Sequence, residues 1–237
     1  VWVSRPGFIE HVIVLNFRGL YPSIIRTFHV DPLAMVCGEL EDDGIAGFKG
    51  AIFSRHHYIL PEIIEGLWLA RDEAKLAGQT AMSQAIKIIM NSFYGVLGTP
   101  GCRFFDQRLV SSITLRGHEI LQTTRDLLED WGYAVIYGDT DSVFVWLRGA
   151  DQTRNVDATG QDLMARLNRW WQVQIASSAA TVSCLEVEYE THFARFLMPT
   201  VRGSTIGSKK RYAGLITGGN GEPELVVCQS ALNFDPA

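Results

Sequence analysis

Apolar and polar positions follow two different periods along the chain, and the switches between them outline its elements. The run HVIVLNF, His11 to Phe17, reads as a strand. LYPSIIRTF, Leu20 to Phe28, follows, with Pro22 as a natural helix-start residue. The Gly- and Asp-rich stretch Glu39 to Gly50 predicts a loop. Two helical stretches come next, Pro61 to about Ala77 and about Ala81 to Tyr94. Gly78 separates them and predicts an antiparallel pair. Gln107 to Trp131 predicts a long amphipathic helix with Leu109, Ile113, Ile120, Leu127 and Leu128 on its apolar positions and Gly132 as its C-cap. Tyr133 to Tyr137 and Val143 to Leu147 predict short strands around a tight turn. A polar loop, Asp151 to Gly160, leads to a helix over Gln161 to Ala176. Leu185 to Phe193 and Lys209 to Ile216 read as strands, and Gly218 to Ala237 carries no clear pattern.

Composition narrows the classes. No internal repeat or low-complexity tract is visible. No apolar run approaches the length that spans a bilayer. Cys37, Cys102, Cys184 and Cys228 are scattered without a C-x-x-C pair, which argues against a zinc site and for reduced thiols. The net charge of −5 argues against a simple electrostatic nucleic-acid binder. It leaves room for an acidic metal site with local basic patches. The opening VWVSRPGF has no initiator Met and no signal-peptide pattern, so the chain is expected to be the middle of a longer protein.

The turn holds the first candidate chemistry. In Tyr137-Gly138-Asp139-Thr140-Asp141-Ser142, period-two alternation sends Asp139 and Asp141 to one side. Two carboxylates so close repel unless a cation lies between them, and hard divalent ions such as Mg²⁺ take oxygen ligands. A bare D-T-D is usually a solvated turn; one flanked by YAVIY and VFVWL is more specific. The second candidate lies on the helical pair. Lys87, Asn91 and Tyr94 are at i, i+4 and i+7 and share a face, while Arg71 and Lys75 are one turn apart on the preceding helix. Such a cluster would clamp a triphosphate; alone, it is usually a solvated basic face.

These segments together resemble family B DNA polymerases. YGDTDS is similar to motif C of that family. NFRGLYPSII, Asn16 to Ile25, resembles motif A, where the family has an Asp followed by S-L-Y-P-S-I-I. KIIMNSFYG, Lys87 to Gly95, resembles motif B, and Lys209-Lys210-Arg211-Tyr212 resembles the K-K-R-Y element. The resemblance runs from about Arg5 to Gly214, and KIIMNSFYGVLGT, RFFD and RGHEIL look closest to bacterial members.

The resemblance implies an α+β fold: a palm with a mostly antiparallel sheet backed by helices, plus an inserted antiparallel helical-pair fingers subdomain. It places palm at 1–54 and 99–237 and fingers at 55–98, with exonuclease and thumb absent. The implied reaction is template-directed addition of dNTPs to a primer 3′-OH through two Mg²⁺ ions, with Mn²⁺ able to substitute. Asp141 is the strongest direct metal ligand, Asp139 lies in the same site in a structural or auxiliary role, and Phe17 contributes through its backbone. Glu188 is an auxiliary ligand or a strand-surface carboxylate. Gly19, Leu20, Tyr21, Arg71, Lys75, Lys87, Asn91 and Tyr94 are assigned to the nucleotide, with Tyr21 under the sugar excluding a 2′-OH. Thr140, Lys209, Lys210, Arg211 and Tyr212 are assigned to DNA. The implied partners are primer-template DNA, dNTP and a sliding clamp reached through missing regions, with no membrane, in the bacterial cytoplasm at the nucleoid.

One position departs from the pattern. Asn16 stands where the family has the bridging Asp, and an amide supplies one neutral oxygen. Losing that charge is expected to remove several kcal/mol of transition-state stabilisation, roughly a thousandfold in rate. Gly19 also replaces the usual Ser. Two readings therefore stand: a polymerase core, weak or inactive as written, and a non-catalytic DNA- or nucleotide-binding remnant of one. A decayed partial gene product is a third.

Overall fold

The computed structural model describes residues 2–3, 6–148, 155–179, 181–200, 207, 211–217 and 221–229. Among these the strands are β1 (Trp2–Val3), β2 (Gly7–Phe17), β3 (Ile45–Ala46), β4 (Ile52–Phe53), β5 (Ala134–Gly138), β6 (Ser142–Trp146), β7 (Val187–Met198), β8 (Arg211–Thr217) and β9 (Pro223–Gln229). The helices are α1 (Leu20–Phe28), α2 (Pro32–Gly38), α3 (Leu60–Leu76), α4 (Thr80–Leu97), α5 (Gln107–Asp130) and α6 (Val156–Ser178).

The chain forms two compact units. The first contains Val1–Phe17, Leu121–Asn168 and Val187–Ala237; the second contains Arg18–Ile120 and Arg169–Glu186. These units divide at points other than residues 54 and 98: α1, α2, β3, β4 and most of α5 group with the helical pair.

The first unit is built on a seven-stranded sheet in the order β1-β5-β6-β2-β7-β8-β9. Each neighbouring pair is antiparallel. β2 is central and buries both faces. Val12 and Val14 join a cluster with Phe144, Phe193 and Phe196, while Ile13, Leu15 and Phe17 are buried on the opposite side. Tyr189 lies opposite Leu15 in the ladder. Gly160 of α6 abuts its ring, and the Tyr189 hydroxyl donates to Asp157 at 2.7 Å, so α6 covers that side. The Asn168 side chain brackets the start of β7, donating to the Val187 carbonyl and accepting from its N–H.

In the second unit α1 buries Leu20, Ile24, Ile25 and Phe28. The helices α3 and α4 are joined by three residues and pack on each other and on α1. Gly78 takes φ +68°, and its N–H and that of Gln79 reach back to the carbonyls of Lys75 and Ala74. This satisfies the last carbonyls of α3 and reverses the chain, so the helices are antiparallel.

Several expected elements differ in extent. β2 starts at Gly7, β7 runs to Met198 and α4 continues to Leu97. α6 begins at Val156, inside the expected polar loop, where the Asn155 side chain accepts from the Ala158 N–H. α2 is an additional helix, capped by Asp31, whose carboxylate accepts from Ala34. The hairpin β3–β4 and strand β9 are also additions, the latter within the unpatterned tail.

Candidate functional site

In the first unit β5 and β6 present the YGDTDS turn. The Asp139 N–H donates to the Ser142 carbonyl at 3.0 Å and closes it. The Asp139 carboxylate folds back onto the turn, accepting from the Thr140 N–H at 2.8 Å, the Thr140 hydroxyl at 3.2 Å and the Tyr137 hydroxyl at 3.4 Å. These bonds give Asp139 a turn-holding role. The Phe17 N–H donates to the Asp141 carbonyl at 2.7 Å and ties the end of β2 to the turn. The Phe17 atom that could serve a cation as a backbone ligand is its carbonyl oxygen.

Asn16 sits opposite Ser142 of β6 and Glu188 of β7. It shares a cavity of about 400 Å³ with Asp141, Ser142, Thr191 and Glu190. Val14, Phe144, Phe193, Tyr212, Ile216 and Val226 complete its walls. Of the acids on β7, Glu190 lines the cavity, while Glu188 is the direct ladder partner of Asn16. The cause is a bulge: Val14 pairs with Thr191 but Leu15 with Tyr189, so Glu190 is an extra residue on β7. Strict alternation in LEVEYE sets Glu190 on the same side as Glu188, and a bulge leaves no period in the sequence to show which of the two lines the cavity.

The donors are all hard oxygens, the type that divalent cations such as Mg²⁺ take. Asn16 Oδ1 is buried without a hydrogen-bond partner, and a cation would satisfy it. Among the described residues no group of three or more His, Cys, Asp or Glu forms a ready-made metal cage. Asn16, an amide, does not count toward such a group. Two carboxylates and one amide oxygen thus fit a hard ion that keeps part of its water. Burial pushes the Tyr212 hydroxyl above its ordinary range, with the Cys228 thiol adding to the effect, so this wall of the cavity stays a neutral phenol at physiological pH.

In the second unit Gly19, at φ +56°, precedes the first turn of α1. A Cβ there would come within 3.2 Å of the Trp68 ring. The Tyr21 and Tyr94 rings meet at 4.7 Å, so the expected motif A and motif B tyrosines are in contact. Trp68, Arg71 and Lys75 follow one another along one side of α3, and Tyr94, Asn91 and Lys87 along one side of α4. Because the helices are antiparallel, both rows run in the same direction away from the Gly19–Tyr21 turn. Lys75, Lys87 and Asn91 are exposed and make no ion pair or side-chain hydrogen bond among the described residues. Arg71 is half-buried, and its Nε has no acceptor.

Of the expected DNA contacts, Thr140 is exposed at the turn and Arg211 is exposed at the start of β8. Tyr212 is half-buried, with its ring 5.2 Å from Phe144 and 5.3 Å from Phe196. Lys209 and Lys210 lie outside the described residues. Among the described residues no helix is long and apolar enough to cross a membrane.

Comparison with known proteins gives a consistent picture. Residues 4–228 match the model of DNA polymerase family B. The chain is 55% identical over 220 residues to DNA polymerase II of Escherichia coli (strain K12), covering 92% of this chain and 28% of that protein. It is 29% identical over 227 residues to a DNA polymerase of Thermococcus gorgonarius, covering 90% of this chain and 27% of that one. A solved family B DNA polymerase from the archaeon Pyrobaculum calidifontis aligns with a TM-score of 0.62 at 25% identity, over 95% of this chain and 28% of that structure. The chain therefore spans little more than a quarter of the length of these relatives. With the family model matched over nearly the whole chain, on a sheet and helical pair that carry its motifs, the chain belongs to DNA polymerase family B.

Proposed function

We propose that this chain is the palm-and-fingers part of a DNA-directed DNA polymerase, and that Asn16 makes it a slow catalyst as it stands. The observation that carries this reading is the meeting of Asn16, Asp141 and Glu190 in one cavity, with Asn16 Oδ1 buried and unpartnered. Palm would comprise 1–54 and 99–237, and fingers 55–98.

Asp141 and Asn16, with Glu190, would hold Mg²⁺, two ions in the full reading, with Mn²⁺ able to replace it. Bound there, such ions stabilise the attacking and leaving oxygens of an in-line phosphoryl transfer. Asp139 holds the turn that carries Asp141, and the Phe17–Asp141 bond fixes that turn against β2. Arg71, Lys75 and Lys87 would neutralise the triphosphate, with Asn91 as a neutral donor beside them. Backbone N–H groups at Gly19 and Leu20 open a helix, where anions are favoured. The Tyr21 ring, backed by Tyr94, would lie under the sugar and leave no room for a 2′-OH. Arg211 and Tyr212, with Lys209 and Lys210, and Thr140 at the turn would meet primer-template DNA. A sliding clamp would act through regions outside this chain, in a bacterial cytoplasm at the nucleoid.

Asn16 specifically favours a second reading, a non-catalytic module that binds DNA or nucleotide. Primer extension with Mg²⁺ and with Mn²⁺ separates the two, run on this chain, Asn16→Asp and Asp141→Ala alongside dNTP binding. The catalytic reading expects Asn16→Asp to extend much faster and Asp141→Ala not at all. Binding of dNTP without extension by any form supports the second reading.

A further inference from the structure

We propose that Asp72 is a positioning residue for the triphosphate: through Arg18 it docks α3 so that Arg71 and Lys75 are presented at the Gly19–Tyr21 turn. This rests on the reading of that face as a nucleotide site and adds to it a residue that makes no nucleotide contact.

Glu65, Trp68 and Asp72 lie at i, i+3 and i+7, on one face of α3. All three meet the segment 18–26. Glu65 pairs with Arg26, and Asp72 pairs with Arg18. Trp68, 7% exposed, lies between them: the Arg18 guanidinium is 5.0 Å from its ring centre and that of Arg26 is 5.2 Å. Cations over an indole face are attracted to it, so the ring and the two ion pairs act together. Arg18 is held further by Glu186, whose carboxylate accepts from it at 3.1 Å and whose carbonyl accepts its N–H at 2.8 Å. The Arg18 side chain is 15% exposed and that of Asp72 is 37% exposed. The guanidinium is sheltered while the carboxylate is over a third exposed, so the pair is partly screened and fixes the segment together with the Trp68 contact and the Glu186 pair.

The basic row flanks the docked face and shares Trp68 with it. Arg71 adjoins Asp72 in the chain, follows Trp68 by three residues and precedes Lys75 by one turn. Arg71 Nε is buried without an acceptor. A dry donor left unpaired is costly, and a phosphate oxygen would satisfy it. Releasing Asp72 would let this part of α3 move away from the turn and carry Arg71 and Lys75 with it. Gly19 fits the same arrangement: a side chain there would press on Trp68 and take a left-handed conformation.

The test is equilibrium binding of dATP to the full chain in Mg²⁺, with the melting temperature recorded for each variant. Asp72→Asn and Arg18→Gln should each weaken binding roughly tenfold. The double variant should be no weaker than Arg18→Gln alone, because the Asp72 link is already lost there. Asp72→Glu should bind nearly as the parent does, and melting temperatures should change little. Lys87→Ala reports the site itself. Undiminished dATP binding by Asp72→Asn, with clear loss in Lys87→Ala, overturns the positioning role. So do losses that add in the double variant, or that follow melting temperature across the set. A chain that binds no dATP, with or without Lys87→Ala, overturns the nucleotide-site reading and the positioning role with it.

Discussion

Around Asn16 the polar atoms are few, short-armed and held by a sheet ladder; along α3 and α4 they are long, basic and largely exposed. The two regions handle charge differently. In the first unit Asn16 and Glu190 project from paired strands and Asp141 from the turn that joins two of them, so a change of residue cannot be made good by a neighbour's movement. In the second, exposed Lys75 and Lys87 swing on flexible stems, so losing one leaves the other to compensate in part. Substitutions in the cavity should therefore act nearly all-or-none, and those on the helical face should be graded.

Asn16→Asp is the strongest test of that contrast. It should raise the rate of primer extension roughly a thousandfold or more. It should also lower the melting temperature in a chelator, because three carboxylates then converge without a cation, and added Mg²⁺ should reverse that loss. Equal rates and equal melting for both forms would remove the cavity from the mechanism. Phe144→Ala probes the wall instead of the charge. Phe144 packs on Tyr137 at 4.9 Å and Tyr212 at 5.2 Å, and it lines the cavity. Its truncation should cost about 3–5 kcal/mol in urea unfolding. A cost below about 1 kcal/mol would mean that the wall is soft.

On the helical face Lys87→Ala should weaken dNTP binding by roughly tenfold or less, an effect that shrinks as salt rises. Salt-independent loss would point to packing instead of charge. The smallest expected effect is acid sensitivity midway along β2. His11 Nδ1 and His192 Nε2 are 3.2 Å apart, linking β2 to β7. Burial lowers the His192 pKa below 6.5, the neighbouring His11 lowers it further, and Asp157 opposes them. The folded state thus prefers neutral His192, and its contribution is complete at neutral pH. It is lost as pH falls from about 6.5 through the folded value. Denaturation at pH 7.5 and 5.5 should show the loss in the parent and a smaller one in His192→Gln.

How much could be read in advance follows from how each feature is encoded. β2, β5, β6 and the long helix α5 bury alternating or helical stripes, and those stripes are visible in the residues themselves. The strand β9 buries little of its surface, so its sequence carries no stripe. The helix α2 spans only seven residues and depends on the Asp31 cap more than on periodicity. The strands β3 and β4 are two residues each, too short for any period. In the site, Asn16, Asp141 and the face of Lys87, Asn91 and Tyr94 were legible because motif and spacing agreed. The turn-holding use of Asp139 depends on side-chain direction, and the ion pairs beside Trp68 join residues 39 and 54 positions apart, Arg26 to Glu65 and Arg18 to Asp72. Neither leaves a local mark.

The bulge on β7 acts as a phase shifter. Two residues, Tyr189 and Glu190, occupy the length that one would otherwise fill, so the parity of inward and outward positions changes midway along the strand. A carboxylate counted forward from Leu185 and one counted back from Phe193 are out of step by one position. Removing one of the two would turn the bulge into an ordinary pair with Leu15 and leave the ladder on both sides in register, while withdrawing the Glu190 carboxylate from the cavity. The Glu190 carboxylate is thereby tied to one residue of strand length, so an insertion or deletion at this point changes the acid that lines the cavity and spares the hydrophobic contacts on either side.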